Sequence, residues 1–400
     1  MQKTLKIRLL PTKEQEEKMV KTVGCCRFAY NWALNRTNEK YSNGEKYSMS
    51  EIRKEFTQLK RQEEFQWLNE VSSKSMVESM RNLDKSFKKF FSKQGGYPKF
   101  KSKRKSKKSF YVRYDALYFK DDVCNIEKIG KVKFKTNYTI PDCKYSNPYC
   151  NFDGRYWYLT FGIEVEENQT TLNQNLSIGI DLGVKELAVC SNGFVFKNIN
   201  KTSHVKRTEK RLRRIQRQIS RKYEMNKQGN RFIKTKNIEK LEQRARLIYR
   251  HLSNIRQNHI HQSTATIIKQ RPYQVVMEDL NVSGMMKNKH LSKAIASQGF
   301  YEFIRQMKYK CELNGINFVQ ADRFYPSSKT CSQCGNIKYT LKLKDRVYEC
   351  DCCGLKIDRD FNASINLMNY RLKAGIWETS IYAGCVVPEF KPLESHTKLE

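Results

Sequence analysis

The sequence predicts a two-lobed protein of α/β plus β class, and three observations predict it. Apolar residues recur at helical spacing from Thr12 to Phe91, between strand-like segments; a polar stretch, residues 166–175 (EENQTTLNQN), divides the chain; beyond it, strand-like and helical segments alternate. Length agrees, since 400 residues exceed the roughly 250–300 that one core serves. With 39% hydrophobic and 12% aromatic residues the chain can fill such cores, which excludes wholesale disorder.

The first lobe opens with KTLKIRLLP, alternating polar and apolar residues before a proline as a half-buried strand does. Thr12 with Gln15 then makes a capping box that starts a helix. Phe28, Trp32 and Leu34, then Ile52, Phe56 and Leu59, then Met76, Met80, Leu83, Phe87, Phe90 and Phe91 give a small helical bundle, with polar breaks near 42–48 and 72–75. Gly95 and Gly96 end it. KVKFKT and GRYWYLTFGIEVE, with a turn at Asp153-Gly154, read as strands of a small β-barrel or sheet that the N-terminal strand joins.

Charge names the partner class. Lys and Arg number 76 against 41 Asp and Glu, a net +35 that costs self-repulsion unless a polyanion neutralises it. Nucleic acid is that polyanion. A membrane surface is excluded as the alternative because no apolar run approaches the ~18 residues a span needs, and MQKTLKIRLLP has no secretory core, so a cytoplasmic location is expected. Two segments concentrate the charge. Seven Lys or Arg lie between Lys99 and Lys108, bracketed by Tyr97, Phe100, Phe110 and Tyr111. Cations there neutralise phosphates while aromatic rings stack on bases, so Lys99, Lys101, Lys103, Arg104, Lys105 and Tyr111 are candidate contacts. Between Lys201 and Arg250 stand eighteen Lys or Arg against four acids. Leu212, Ile215 and Ile219, then Leu241, Ala245, Ile248, Leu252 and Ile255, broken at Gln228-Gly229-Asn230, predict an antiparallel helical hairpin with basic outer faces. Arg211, Arg214 and Arg221 are its candidate phosphate contacts.

Three acidic residues stand where chemistry is expected. In LSIGIDLGVKELAVCSNG, Ile178, Ile180 and Leu182 share one strand face, Asp181 points from the other, and a strand from Glu186 to Cys190 returns after Gly183. Glu278 follows the apolar strand Gln274 to Met277, at a carboxyl end where α/β sheets build their sites, with Asp279 beside it as a rival. Asp358 and Asp360 head a helix with apolar face Phe361, Ile365, Met368 and Leu372, expected to end at Gly375. Asp181, Glu278 and Asp360 can converge on one oxygen-rich pocket that suits hard divalent cations. Two Mg²⁺ ions there would serve phosphodiester cleavage.

Thirteen Cys, an odd number, argue against a disulfide framework and for reduced thiols, some on metal. Cys331 and Cys334 in CSQCG, and Cys350 and Cys353 in CDCCG, have ribbon spacing for one structural Zn²⁺, each pair followed by a Gly that permits a tight turn. Four thiolates leave no open catalytic position. Cys352, inside the second knuckle, is a rival to Cys350; Cys25, Cys26, Cys190 and Cys311 read as small hydrophobes.

On these segments the sequence resembles the TnpB (OrfB) family of insertion-sequence proteins, ancestral to the type V CRISPR effectors. The resemblance spans nearly the whole chain: TKEQ followed by GCCRFAYNWAL, then GYPKFKSK, GIDLGVKELAV, the EDLNVSGM block, SSKTCSQCG and CGLKIDRDFNASINL. It implies a transposon-encoded, RNA-guided DNA endonuclease, one protein per guide RNA derived from the transposon end. Such a protein recognises a short motif beside its double-stranded target and cleaves by Mg²⁺-dependent hydrolysis at a single site formed by Asp181, Glu278 and Asp360. The implied architecture is an RNase H-like (RuvC) nuclease domain over 175–326 and 358–376, carrying a basic helical insertion (200–270) and a zinc ribbon (327–357). Before it come a wedge β-barrel (1–11 and 97–170) and a helical recognition domain (12–96); residues 377–400 form a tail. The host is bacterial or archaeal and the protein nucleoid-associated. Two alternatives differ in chemistry: a nuclease-inactive RNA-guided DNA-binding repressor, against which the intact trio speaks, and a strand-transfer transposase, which would join ends rather than only cut.

Overall fold

The structure, a computed structural model, describes every residue except Met1, Tyr47, Lys105, 166–170, Leu343 and 371–400. The tail expected over 377–400 therefore lies outside the described residues. The chain divides into two compact units, Met1–Glu166 and Glu167–Glu400, and no helix among the described residues is long and apolar enough to cross a membrane.

In the first unit, β1 (Gln2–Leu10) leads through the Thr12 capping box into α1 (Lys13–Ser42), where the Thr12 side chain accepts from Gln15 N–H and Gln15 Oε1 accepts from Thr12 N–H. Next come α2 (Met49–Leu59), a 3₁₀ segment over Glu63–Glu70, and α3 (Ser73–Phe91). The second helical break lies before Ser73 rather than over 72–75, because Ser72 is the N-cap of α3 and Ser75 is already inside it, donating to the Tyr111 carbonyl. Six further strands, β2 (Ser109–Tyr111), β3 (Phe119–Lys120), β4 (Val123–Ile126), β5 (Gly130–Lys135), β6 (Ser146–Phe152) and β7 (Trp157–Glu164), join β1 in one antiparallel sheet. Its order is β2-β6-β7-β1-β5-β4-β3. Laid flat, β3 and β7 would lie about 19 Å apart, four strand spacings, yet the Phe119 and Phe161 ring centroids are 5.1 Å apart. The sheet is therefore curled. Among the described residues no pairing joins its edges β2 and β3, so the expected barrel or sheet is a curled sheet with two edges.

The second unit holds β8 (Asn173–Leu182), β9 (Glu186–Cys190), β10 (Val195–Lys197), α4 (Ser203–Met225), the two-residue strands β11 (Lys227–Gln228) and β12 (Arg231–Phe232), and α5 (Lys236–Lys269). After these come β13 (Pro272–Glu278), α6 (Val282–Met285), α7 (Ser292–Gln298), α8 (Phe300–Leu313), β14 (Asn317–Ala321), β15 (Val347–Glu349), β16 (Lys356–Asp358) and α9 (Arg359–Met368). Strand β8 begins at Asn173, three residues inside the polar stretch, because Asn173 N–H finds the Arg271 carbonyl. The five-stranded sheet runs β10-β9-β8-β13-β14, antiparallel among the first three and parallel from β8 onward. Helices α4 and α5 form the hairpin expected from the sequence, its seam built from Leu212, Ile215, Ala245, Ile248 and Leu252, to which Val205 adds.

The sheet is covered on both faces. Ile178, Ile180, Val275 and Met277 pack against Ile260 and Ile267 of α5 and Phe303 and Met307 of α8. On the other face Val276 and Ala321 meet Leu367 of α9. The expected apolar stripe of α9 is corrected here. Ile365 and Met368 are only half-buried, while Asn362, Ala363, Ser364 and Asn366 are buried with Phe361 and Leu367. Small side chains let the helix lie close to the strands, and the two amides bond neighbouring backbone. Helix α9 also ends at Met368, with Asn369 as its C-cap; Leu372 and Gly375 lie outside the described residues.

The closest approach is at Gly179. A Cβ there would stand 2.0 Å from the Ser364 carbonyl oxygen and 2.3 Å from Met368 N, both backbone atoms that cannot swing away. Overpacking costs about 1–3 kcal/mol, sometimes more, and a unit of this size loses ~2–4 °C per kcal/mol. Gly179→Ala is therefore expected to lower Tm by about 5 °C or more in calorimetry; an unchanged Tm would refute so close a contact.

Candidate active site and metal centre

The register of the sheet brings the carboxylates together. Met277 pairs with Ile180 in the parallel ladder, so Glu278, the last residue of β13, is level with Asp181 on β8. Val276 and Gly179 are partners one step earlier, and Val276 faces α9; two residues on, Glu278 and Asp181 share that face. Helix α9 supplies the third group by spacing. Ser364 lies over Gly179. Two residues along a strand cover about 6.7 Å and four along a helix about 6 Å, which sets Asp360 near Asp181.

Electrostatics records the convergence. Burial first, then the charges of Glu278 and Asp360, push the Asp181 carboxyl well above the ordinary range. Burial also raises Glu278, against the pull of a hydrogen bond from Ser327. Asp360 is raised by burial and then by Asp358, while Arg346, Arg359 and Lys185 pull it down. The rivals are committed elsewhere. Asp279 pairs with Arg323 at 2.6 Å, and Asp358 is the N-cap of α9, its Oδ1 accepting from Asp360 N–H at 2.9 Å and Phe361 N–H at 3.1 Å.

The sequence reading missed Ser327, whose hydroxyl donates to Glu278 Oε1, and Arg346, 3.8 Å from Asp360. Neither carries a local pattern, since each reaches the site from a loop. Asn362 and Asn366 were also missed, although DRDFN places an amide where an apolar stripe needs none. Asn362 accepts from Ser332 N–H and donates to the Thr330 carbonyl, and Asn366 donates to the Ser327 and Thr330 carbonyls. Both thus tie α9 to the chain entering the cysteine ribbon.

In that ribbon Cys331, Cys334, Cys350 and Cys353 place their sulfurs all within 4.8 Å of one another. Among the described residues they alone make such a group; the three carboxylates are not drawn in so tightly. Cys331 and Cys353 sulfurs lie 3.6 Å apart and Cys334 and Cys350 sulfurs 3.5 Å, close to the ~3.8 Å edge of a tetrahedron with 2.3 Å metal–sulfur bonds. Gly335 and Gly354, the residues after each pair, have φ of +75° and +71°, which side chains resist. Cys352 is exposed and outside the group; its N–H, like that of Cys353, points at Cys350 Sγ. Although burial opposes it, these N–H donors draw the Cys350 thiol down to about 6, whereas burial pushes Cys331 up to about 12.

The candidate nucleic-acid contacts divide. Lys99, Lys103 and Arg104 are exposed. Lys101 is not free: its backbone is held by Asn31 and its ammonium lies 3.7 Å from the Tyr30 ring centroid. Tyr111 is half-buried, edge-on to Tyr149 at 5.5 Å. Lys105 lies outside the described residues. On α4, Arg211, Arg214 and Arg221 are all exposed. Arg214 lines a groove of about 600 Å³ with Lys206, Lys210, Arg213 and Arg217, and Arg221 lines an adjoining one of about 400 Å³; Arg211 lines neither.

Comparison with known families gives three matches along the chain. Residues 1–46 match a "Helix-turn-helix domain" of OrfB proteins, 160–289 an OrfB "Probable transposase", and 300–367 a "Cas12f1-like, TNB domain". The first description does not fit this fold, where those residues hold β1 and the single long helix α1. A Streptomyces pristinaespiralis protein named "Putative RNA-guided DNA endonuclease" is 29% identical over 94% of this chain and 90% of its own. The Escherichia coli "Putative RNA-guided DNA endonuclease InsQ" is 27% identical over 91% and 90%. "CRISPR-associated endodeoxyribonuclease Cas12f1" of Sulfoacidibacillus thermotolerans is 28% identical over 53% and 49%. With the OrfB matches set beside relatives aligned along nine-tenths of its length, the chain is similar throughout to the TnpB (OrfB) insertion-sequence proteins.

Proposed function

We propose that this protein is an RNA-guided DNA endonuclease whose second unit is an RNase H-like (RuvC) nuclease with a single active site. One observation carries the reading: Asp181, Glu278 and Asp360 occupy one face of the sheet at the carboxyl ends of β8 and β13 and the start of α9, where burial and then the charges of the other two raise the proton affinity of Asp181. Relatives named as RNA-guided DNA endonucleases support the guide and the target. The first unit supplies the wedge (its curled sheet) and the recognition domain (its helices), and the α4 grooves take phosphates of the guide RNA.

The oxygen donors of the trio fit hard divalent cations, and two Mg²⁺ are the assignment. When bound, the ions supply an activated water and charge stabilisation for the departing oxygen of a phosphodiester. Asp181, Glu278 and Asp360 would hold them. The Ser327 hydroxyl fixes one Glu278 oxygen and so orients the other. Arg346 and Lys185, both acting on Asp360, place positive charge where a substrate phosphate arrives. The four thiolates fit one structural Zn²⁺, whose binding free energy is folding free energy of the ribbon.

The test is cutting of double-stranded DNA matched to the co-purified RNA. Asp181→Ala, Glu278→Ala and Asp360→Ala are each expected to slow cutting at least about a thousandfold, ~4 kcal/mol at ~1.4 per tenfold. Asp358→Ala removes a helix cap worth about 1 kcal/mol and keeps the activity. A dead Asp358→Ala beside an active Asp360→Ala would reverse the assignment, and joined rather than merely cut ends would make the protein a strand-transfer transposase.

Metal removal gives a second expectation. Cys331→Ser should lower bound zinc below about half an equivalent by elemental analysis and, because the ribbon bonds α9, slow cutting as well. A full equivalent retained would exclude the site.

Asp181 has a third consequence. A carboxyl whose folded-state affinity for protons is raised destabilises the fold once pH exceeds its ordinary value, so the penalty is present at pH 7 and fades on acidification. Without Mg²⁺, Asp181→Asn should raise Tm at neutral pH by ~2–4 °C, a gain of about 1 kcal/mol. Wild type should gain Tm on adding Mg²⁺ and the variant should not. A variant less stable than wild type in EDTA would contradict the burial and crowding of charge at Asp181.

A further inference from the structure

We infer that Phe324 is a substrate-positioning residue that stacks on a base of the DNA strand being cut. The inference rests on the nuclease reading above and goes beyond it, because the carboxylates hold only the phosphate and leave the strand free to slide.

Phe324 is 86% exposed, a large apolar ring in water. Such a ring costs solvation unless something covers it. It does not sit on a loose loop. Ala321, three residues earlier, is the ladder partner of Glu278, and its carbonyl accepts from Asp279 N–H at 3.3 Å. Arg323 beside it is bonded to Asp279 at 2.6 Å. Ser327, three residues later, donates to Glu278 itself. Within the turn, Asp322 accepts from Phe324 N–H at 2.8 Å and, through its carbonyl, from Tyr325 N–H at 3.0 Å. Both ends of the turn are thus clamped to the Glu278-Asp279 step. The span from Phe324 to Ser327 is at most about 10 Å of chain, so the ring stands within one or two nucleotides of the carboxylates.

The neighbouring aromatic side chain behaves differently, and the contrast assigns Phe324 its role. Tyr325 turns inward, its hydroxyl on the Asn366 carbonyl at 3.2 Å and its ring against Tyr370 at 4.9 Å. Tyr325 anchors the turn to α9, while Phe324 is presented. A base has a π-face whatever its identity, so stacking on a fixed ring holds the strand without selecting sequence, worth ~1–3 kcal/mol per base. An extended single strand passing this turn would bring one phosphate to the carboxylates while a flanking base lies on Phe324.

Because the side chain is exposed, its replacement should leave Tm unchanged, which separates the effect from misfolding. In the intact ribonucleoprotein with Mg²⁺ and matched DNA, Phe324→Ala is expected to cut bound target about 5- to 100-fold more slowly under single-turnover conditions, the loss of one stacked base. Its cut positions should spread over neighbouring phosphates, and target binding should be unaltered. Phe324→Trp should restore both rate and position; Phe324→Leu, apolar without a π-face, should not. In a target with 2-aminopurine along the cut strand, wild type should quench one position that Phe324→Ala does not. Wild-type rate and unchanged cut positions in Phe324→Ala, or full rescue by Leu, would overturn the inference and leave the nuclease reading standing. A wild-type complex that cuts no DNA would overturn both.

Discussion

The contact between α9 and β8 at Gly179 is the constraint from which the second unit takes its form. A helix lying on a sheet normally stands off by the depth of two layers of side chains. Here one layer is missing, because the strand offers no Cβ and the helix meets it with its backbone at Ser364, Leu367 and Met368. The start of α9 is thereby lowered to the level of the strand ends. An acidic residue there is a neighbour of the strand carboxylates rather than a solvated end-of-helix charge. The same closeness removes the solvent that would otherwise screen the three groups, which is why burial leads the causes acting on each of them. Cost and proposed capacity share an origin, since a pocket that resists carrying three negative charges is also one whose donors suit divalent cations.

The cysteine ribbon belongs to this arrangement more than its spacing suggests. Four thiolates with no vacant position do no chemistry of their own, and taken alone the ribbon is a folded loop. Yet Asn362 and Asn366 of α9 take their partners from the backbone at 327–332, and Arg346 reaches Asp360 from beside β15. The amides are fully buried or nearly so. A buried amide without its partner costs about 1–3 kcal/mol, so the order of the ribbon and the placement of α9 are energetically linked.

Legibility in the sequence followed the range of the interaction. Period and capping are local, and they marked β1, the Thr12 box, the α4–α5 seam and the strands carrying Asp181 and Glu278. The CxxC pairs with their glycines are local as well, and the four sulfurs gather as the spacing implied. What stayed hidden depended on partners distant in the chain. The apolar stripe expected of α9 was wrong because a helix docked by amides onto a ribbon buries polar side chains that periodicity assigns to water. Lys101 and Tyr111 looked like members of a basic, aromatic nucleic-acid patch, but Tyr30 and Tyr149, 71 and 38 residues away in the sequence, had already claimed them. Asp279 and Asp358 could be told from their neighbours only by the guanidinium and the helix N–H groups that occupy them.

The order of the carboxylates along the chain has a consequence for biosynthesis. Asp181 and Glu278 lie on β8 and β13, but the face they share is completed by α9, the last described element. Chains emerge from the ribosome N-terminus first, at roughly 5–20 residues per second, so about 80 residues separate the appearance of Glu278 from that of Asp360. During those seconds the strands, the basic hairpin and much of the positive charge are already outside the exit tunnel, able to gather RNA. The pocket still lacks its third wall. On the proposed nuclease reading, a nascent chain of this design would meet polyanions before it has the means to act on them, and would become competent only when its closing helix settles over Gly179.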